Sequence, residues 1–217
     1  MQLMLFSTSR NTARLGNIRR VIPLSLPYSV SCNKPAMAFA IDKSIGDDIP
    51  SITRIYAHAV RTGTGTFETV APSEADMASR RNAVLTAGWP YIVAVDNAPE
   101  ERSVIGFACA ATFRPREAYR FTIEDSVYVA PEWARRGVGR ALLQELLKRC
   151  EQAGARSAIA VIGDSENHGS LALHKQCGFE HAGVMPNVGW KFGRWLDVVL
   201  MTRPIGDGSA SAPTQDT

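Results

Sequence analysis

I-E-D-S-V-Y-V-A-P-E-W-A-R-R-G-V-G-R-A-L-L-Q-E-L-L-K, residues Ile123 to Lys148, joins two hydrophobic patterns across a glycine-containing turn. Ile123 to Val129 is a short β-branched and aromatic run closed by Pro131, which predicts a strand. From Val138 to Cys150, Ala141, Leu142, Leu146 and Cys150 fall on one helical stripe. The connection, R-R-G-V-G-R, holds Gly137 and Gly139, which let a backbone approach a ligand closely. The first N–H groups of the following helix lack partners inside it, so the turn is suited to phosphate.

Two other phosphate motifs are excluded by spacing. A dinucleotide fingerprint needs a third small residue where Leu142 stands, and a P-loop needs a Gly-Lys-Ser/Thr ending that the chain lacks here. The turn resembles the acetyl-coenzyme-A loop of the GNAT superfamily of N-acetyltransferases, with the pattern Gln/Arg-x-x-Gly-x-Gly/Ala after a strand. Its first position is Ala134, a departure that touches one side-chain contact and leaves the backbone donors intact.

The chain has 217 residues, 45% hydrophobic and 21% charged, enough for one ordinary globular domain with tails. Residues 1 to 41 carry Arg10, Arg14, Arg19, Arg20 and Lys34 and no acid; removing these five positive charges from the net +3 leaves the remainder near −2. A nucleic-acid partner is therefore not expected. Residues 1–36 form a basic extension, either transit-like or an upstream extension of the reading frame, with the domain at 37–205. The Gly-, Ser-, Ala- and Pro-rich tail 206–217 is expected to be disordered. No apolar run approaches the roughly 18 residues of a membrane span. Cys32, Cys109, Cys150 and Cys177 lack C-x-x-C spacing, which fits reduced thiols in the cytoplasm, or in an organelle if the extension is a transit peptide; no metal site is expected.

In order, the patterns predict a strand at Met37 to Ile41, a helix with Ile52, Ile55, Tyr56 and Ala59 on one face, and a second helix from Ser73 to Gly88. Strands follow at Tyr91 to Val95 and Val104 to Thr112, around an acidic turn from Asn97 to Glu101. After the central helix come a strand at Ser157 to Ile162 and a short helix at Gly169 to Cys177. Two last strands, Phe179 to Met185 and Trp195 to Thr202, are joined by the basic loop G-W-K-F-G-R. This is an α/β arrangement with a mainly antiparallel mixed sheet of about seven strands and four flanking helices, similar to the GNAT fold across residues 38 to 204.

Acetyl transfer from a thioester to an amine needs an unprotonated amine and a proton for the departing thiolate. Glu124 is the candidate base, its pKa expected to rise among aromatics and beside Asp125. His174, in N-H-G-S-L-A-L-H-K-Q-C-G-F, is the candidate acid; it stands where the superfamily has a Tyr facing the sulfur. Asn167 and Ser170 either bond the pantetheine amides or cap the helix.

A narrower resemblance rests on T-F-E at Thr66, F-R-P-R-E-A-Y-R at Phe113, E-D-S-V-Y-V-A-P, A-V-I-G-D, S-L-A-L-H-K-Q-C-G-F and K-F-G-R-W-L-D-V-V-L-M. Together these look like phosphinothricin N-acetyltransferases, which acetylate the α-amino group of glutamate-like compounds, methionine sulfoximine and sulfone included. The resemblance implies Glu124 as base, acetyl-coenzyme A on Val127, Tyr128, Val129, Arg135, Arg136, Gly137, Val138, Gly139 and Arg140, and a substrate pocket shaped by Phe67, Arg114 and Tyr119. It also implies a homodimer. Two anionic groups on such a substrate suit guanidinium donors, with Arg114, Arg116, Arg120, Lys191 and Arg194 in surplus. Acetylation of a protein N-terminus or another amine, and coenzyme binding without chemistry, remain the alternatives.

Overall fold

A computed structural model of the chain describes residues 38–97 and 102–213. The basic extension, most of the expected acidic turn and the last four residues lie outside them. The described residues form one compact unit. Its strands are β1 (Phe39–Lys43), β2 (Tyr91–Asp96), β3 (Val104–Thr112), β4 (Thr122–Val129), β5 (Ser157–Gly163), β6 (Glu180–Lys191) and β7 (Arg194–Pro204). The helices are α1 (Ile49–Thr62), α2 (Glu74–Thr86), α3 (Val138–Gln152) and α4 (His168–Gln176).

The sheet runs β1-β2-β3-β4-β5-β7-β6, and every neighbouring pair is antiparallel except β4 with β5. Alternation along its strands divides the core in two. Tyr91 and Val93 of β2 face Ile52, Tyr56 and Val60 of α1 and Met77 of α2. Ile92 and Ala94 face the other way, with Ile123 of β4 and Ala158, Ala160 and Ile162 of β5, onto α3. Leu142, Leu143 and Leu146 of α3 have no exposed surface, so truncating any of them to Ala costs about 2–5 kcal/mol.

Local signals set the helix ends. Ser73 caps α2 by accepting from Asp76 N–H at 3.1 Å, and the Asp76 carboxylate accepts from Ser73 N–H at 2.9 Å. One expectation needs correcting. Gly189, Trp190 and Lys191, read as loop, belong to β6, because pairing with β7 carries that strand through two irregularities to a turn at Phe192 and Gly193. After β7, Gly206 and Gly208 turn the chain back with positive φ, and Arg156 donates to Gly208 O at 3.1 Å and to Ser211 O at 2.9 Å.

Candidate active site

The parallel pair β4–β5 is short: its register ends at Glu124 opposite Ile159. Beyond that point the two strands part, and the wedge between them widens into a cleft of about 1030 Å³. Its walls are the second half of β4, the end of β5, the turn before α3, one face of α4, and the loop after α1 with Gly63, Gly65, Thr66 and Phe67.

At the turn, Gly137 has φ 84° and Arg135 has φ 60°, both in the left-handed region. The first α3 bond runs from Ala141 N–H to Gly137 O, so the N–H groups of Val138, Gly139 and Arg140 have no acceptor within the helix. The side chains of Arg135 and Arg140 line the cleft beside them. Partly positive donors and two guanidinium groups at a helix N-terminus fit a pyrophosphate. Two expected contributors point elsewhere: Arg136 stacks over Trp133 at 5.1 Å, and the Val138 side chain is buried in the core. Val127, Tyr128, Val129, Gly137 and Gly139 lie around the cleft.

Asn167 and Ser170 stand on the α4 wall. Asn167 is the helix cap, its Oδ1 accepting from Ser170 N–H at 3.2 Å, so its carboxamide oxygen is committed to the fold.

Glu124 is half-buried at the point where the strands part. Burial pushes its carboxyl above the ordinary value; Arg114 opposes the shift and Asp125 adds to it. Arg114 thus makes itself felt by charge, although it is exposed and packs over the Phe113 ring at 4.6 Å rather than in the cleft wall. Tyr119 departs further from expectation: it is exposed on the β3–β4 connection, edge-on to Phe113 at 5.7 Å. Phe67 does line the cleft.

His174 does not stand as a free acid. Its Nδ1 donates to Ser170 O at 2.8 Å, and its Nε2 meets Asp125 Oδ2 at 3.0 Å. A carbonyl only accepts, so Nδ1 carries a proton, and Nε2 is turned to the Asp125 carboxylate. Burial pulls the imidazole pKa down, but the Asp125 carboxylate outweighs it and holds His174 above its ordinary value. Asp125, with its side chain 1% exposed, was missed as a site residue. The available signal was strand alternation, which puts it on the face opposite Glu124 and against α4. Among the described residues no cluster of His, Cys, Asp or Glu is arranged to hold a metal, and no helix is long and apolar enough to cross a membrane.

Residues 54–179, more than half the chain, match the family model described as the acetyltransferase (GNAT) family. The chain belongs to that family. It is therefore an acetyltransferase with acetyl-coenzyme A as co-substrate, and the cleft between β4 and β5 carries donors suited to that molecule's pyrophosphate. A phosphinothricin N-acetyltransferase of Alcaligenes faecalis is 53% identical over 167 residues, covering 77% of this chain and 83% of that protein. An L-methionine sulfoximine/L-methionine sulfone acetyltransferase of Pseudomonas paraeruginosa is 40% identical over 169 residues, covering 76% and 94%. Among solved structures, a phosphinothricin acetyltransferase of Sinorhizobium meliloti in complex with acetyl-coenzyme A superposes with a TM-score of 0.79 at 46% identity, covering 83% of this chain and 95% of that one.

Proposed function

We propose that this acetyltransferase moves the acetyl group of acetyl-coenzyme A to the α-amino group of a glutamate-like amino acid of the phosphinothricin and methionine sulfoximine or sulfone class, with Glu124 as general base. The observation that carries the assignment of the base is the position of Glu124. It is a half-buried carboxylate with a raised pKa, at the fork of β4 and β5, sharing one cleft with the phosphate-binding turn. The substrate class rests on the named activities of the relatives.

In this reading the N–H groups of residues 138–140 with Arg135 and Arg140 hold the pyrophosphate, and Val127, Tyr128, Val129 and Ser170 border the pantetheine arm. Phe67 walls the amino-acid end, while Arg114 supplies charge from outside it. The α-amino group arrives mostly protonated at neutral pH; Glu124 takes one proton, the freed nitrogen attacks the thioester carbonyl, the carbon–sulfur bond breaks, and the nitrogen's surplus proton passes to the departing coenzyme A thiolate. His174, held between Ser170 O and Asp125 at the cleft wall, positions α4 and does not donate a proton to the thiolate.

Glu124→Gln preserves size and polarity and removes the basic oxygen. Turnover is expected to fall by about two to four orders of magnitude, roughly 3–5 kcal/mol of barrier, with both substrates still binding. The defect should shrink at high pH, where free amine is abundant. Near wild-type turnover at pH 7 would remove Glu124 from the role.

A homodimer is proposed with this function. The β6–β7 hairpin lies at the edge of the sheet and exposes Val184, Met185, Val188, Trp190, Phe192 and Trp195, an apolar surface suited to a second copy.

A further inference from the structure

The β6–β7 turn carries K-F-G-R, residues 191–194, whose two cations were expected among the groups meeting an anionic substrate. Lys191 is directed into the protein, and Arg194, though exposed, reaches a buried carboxylate. Lys191 is 4% exposed, and its Nζ donates to Gly63 O at 2.8 Å and to Thr66 O at 2.7 Å. Arg194 donates to the buried carboxylate of Asp164, which also accepts from Glu166 N–H at 3.2 Å. The two ends of one tight turn therefore reach the two loops beside Phe67, one after α1 and one after β5.

The loop after α1 is tied from its other side as well. The Tyr56 and Thr66 hydroxyls lie 3.1 Å apart, and Tyr56 donates to Glu68 at 2.9 Å, a carboxylate also held by Arg80. Between these ties the Phe67 ring lies flush on two glycines. A Cβ on Gly163 would come within 2.8 Å of the ring, and one on Gly189 would overlap it. Gly189 belongs to β6, two residues before Lys191, so the same strand supplies both the anchor for the loop and the seat for its aromatic ring.

We propose that Lys191 is a positioning residue for the amino acceptor: by holding the carbonyls of Gly63 and Thr66 it fixes Phe67 against Gly163 and Gly189, and so sets the shape of the amino-acid end of the cleft without touching the substrate. The proposal rests on the reading that Phe67 walls that end. An ammonium offers three donors, and its bonds to buried carbonyls are charge-assisted, so the loop is held more firmly than a neutral side chain could hold it. A pre-formed wall confers affinity because no loop ordering remains to be done when the substrate enters.

Three variants test this with phosphinothricin as acceptor: Lys191→Met, which removes the donors; Gly189→Ala, which displaces the ring and leaves the ammonium in place; and Phe67→Ala. Lys191→Met and Gly189→Ala are each expected to raise KM for phosphinothricin by about ten- to a hundredfold, the range a small misplacement of a substrate-positioning group produces, with KM for acetyl-coenzyme A unchanged. If Gly189→Ala behaved as wild type while Lys191→Met were impaired, the lysine charge itself would be reading the substrate and the inference would fail. It would fail equally if Lys191→Met left the acceptor KM unchanged, or raised both KM values together. Phe67→Ala separates the two levels: an unchanged acceptor KM would overturn the assignment of the wall, whereas a raised one beside an unaffected Lys191→Met would overturn only the role of Lys191. Should Lys191→Met not fold, Gly189→Ala with an unchanged acceptor KM overturns the inference alone.

Discussion

Adjacent on β4, Glu124 and Asp125 point to opposite faces because successive Cβ atoms alternate across a strand. Both border the cleft, and alternation turns the Asp125 carboxylate onto a buried histidine at its wall. The raised pKa of Glu124 has a consequence for stability. Its carboxyl binds a proton more tightly folded than unfolded, so its contribution to stability is fully present below the ordinary carboxylate value and is lost as pH rises through the raised one. At neutral pH the ionised side chain is then a net cost that function retains. Glu124→Gln should therefore melt higher than wild type at pH 7 while turning over far more slowly, and the gap in Tm should close toward about pH 4. A Tm for Glu124→Gln below that of wild type at pH 7 would show that the carboxylate makes a net stabilising contact.

The turn before α3 uses its two glycines differently. Gly137 sits at φ 84° with open space where a Cβ would go, so its requirement is conformational; Gly139 would place a Cβ 3.4 Å from Leu173 and 3.6 Å from Val129, ordinary contacts at the cleft wall. Gly137→Val is expected to lose about 1–3 kcal/mol of stability through backbone strain and to raise KM for acetyl-coenzyme A. Gly139→Val should raise that KM with little change in melting, since only the approach of a ligand is obstructed. Steady-state kinetics and thermal melts of the two proteins check the distinction, and an unchanged coenzyme KM in both would remove the turn from phosphate binding. The strand, turn and helix here were legible because each follows from spacing within a few residues. The length of β6 was not: Gly189 and Gly193 argue locally for a loop, and only pairing with β7 overrides them.

For the whole molecule, both halves of the core, among the described residues, run from Phe39 to Ile205. Deleting residues 1–36 should accordingly leave the cooperative melt and the turnover intact; loss of either would show that the extension takes part in folding or catalysis. The exposed hairpin surface leads to a second expectation, that sedimentation finds a dimer and that Trp190→Asp with Trp195→Asp, two rings 5.3 Å apart, shifts it toward monomer. A dimer unaffected by both changes would put the interface elsewhere.

The sequence by itself determined what depends on local period and on chemical type: the order of elements, the glycine turn between β4 and α3, and the family. Tertiary structure decided where side chains point. His174 stands at the position read for an acid, yet its ring nitrogens are taken by Ser170 and by an Asp125 distant in the chain. Lys191 and Arg194 looked like spare cations, and their acceptors are Gly63, Thr66 and Asp164, residues reached only after the sheet has closed. Spacing along a chain encodes which face of an element a residue occupies; which partner waits on that face is settled by contacts between segments that no local pattern records.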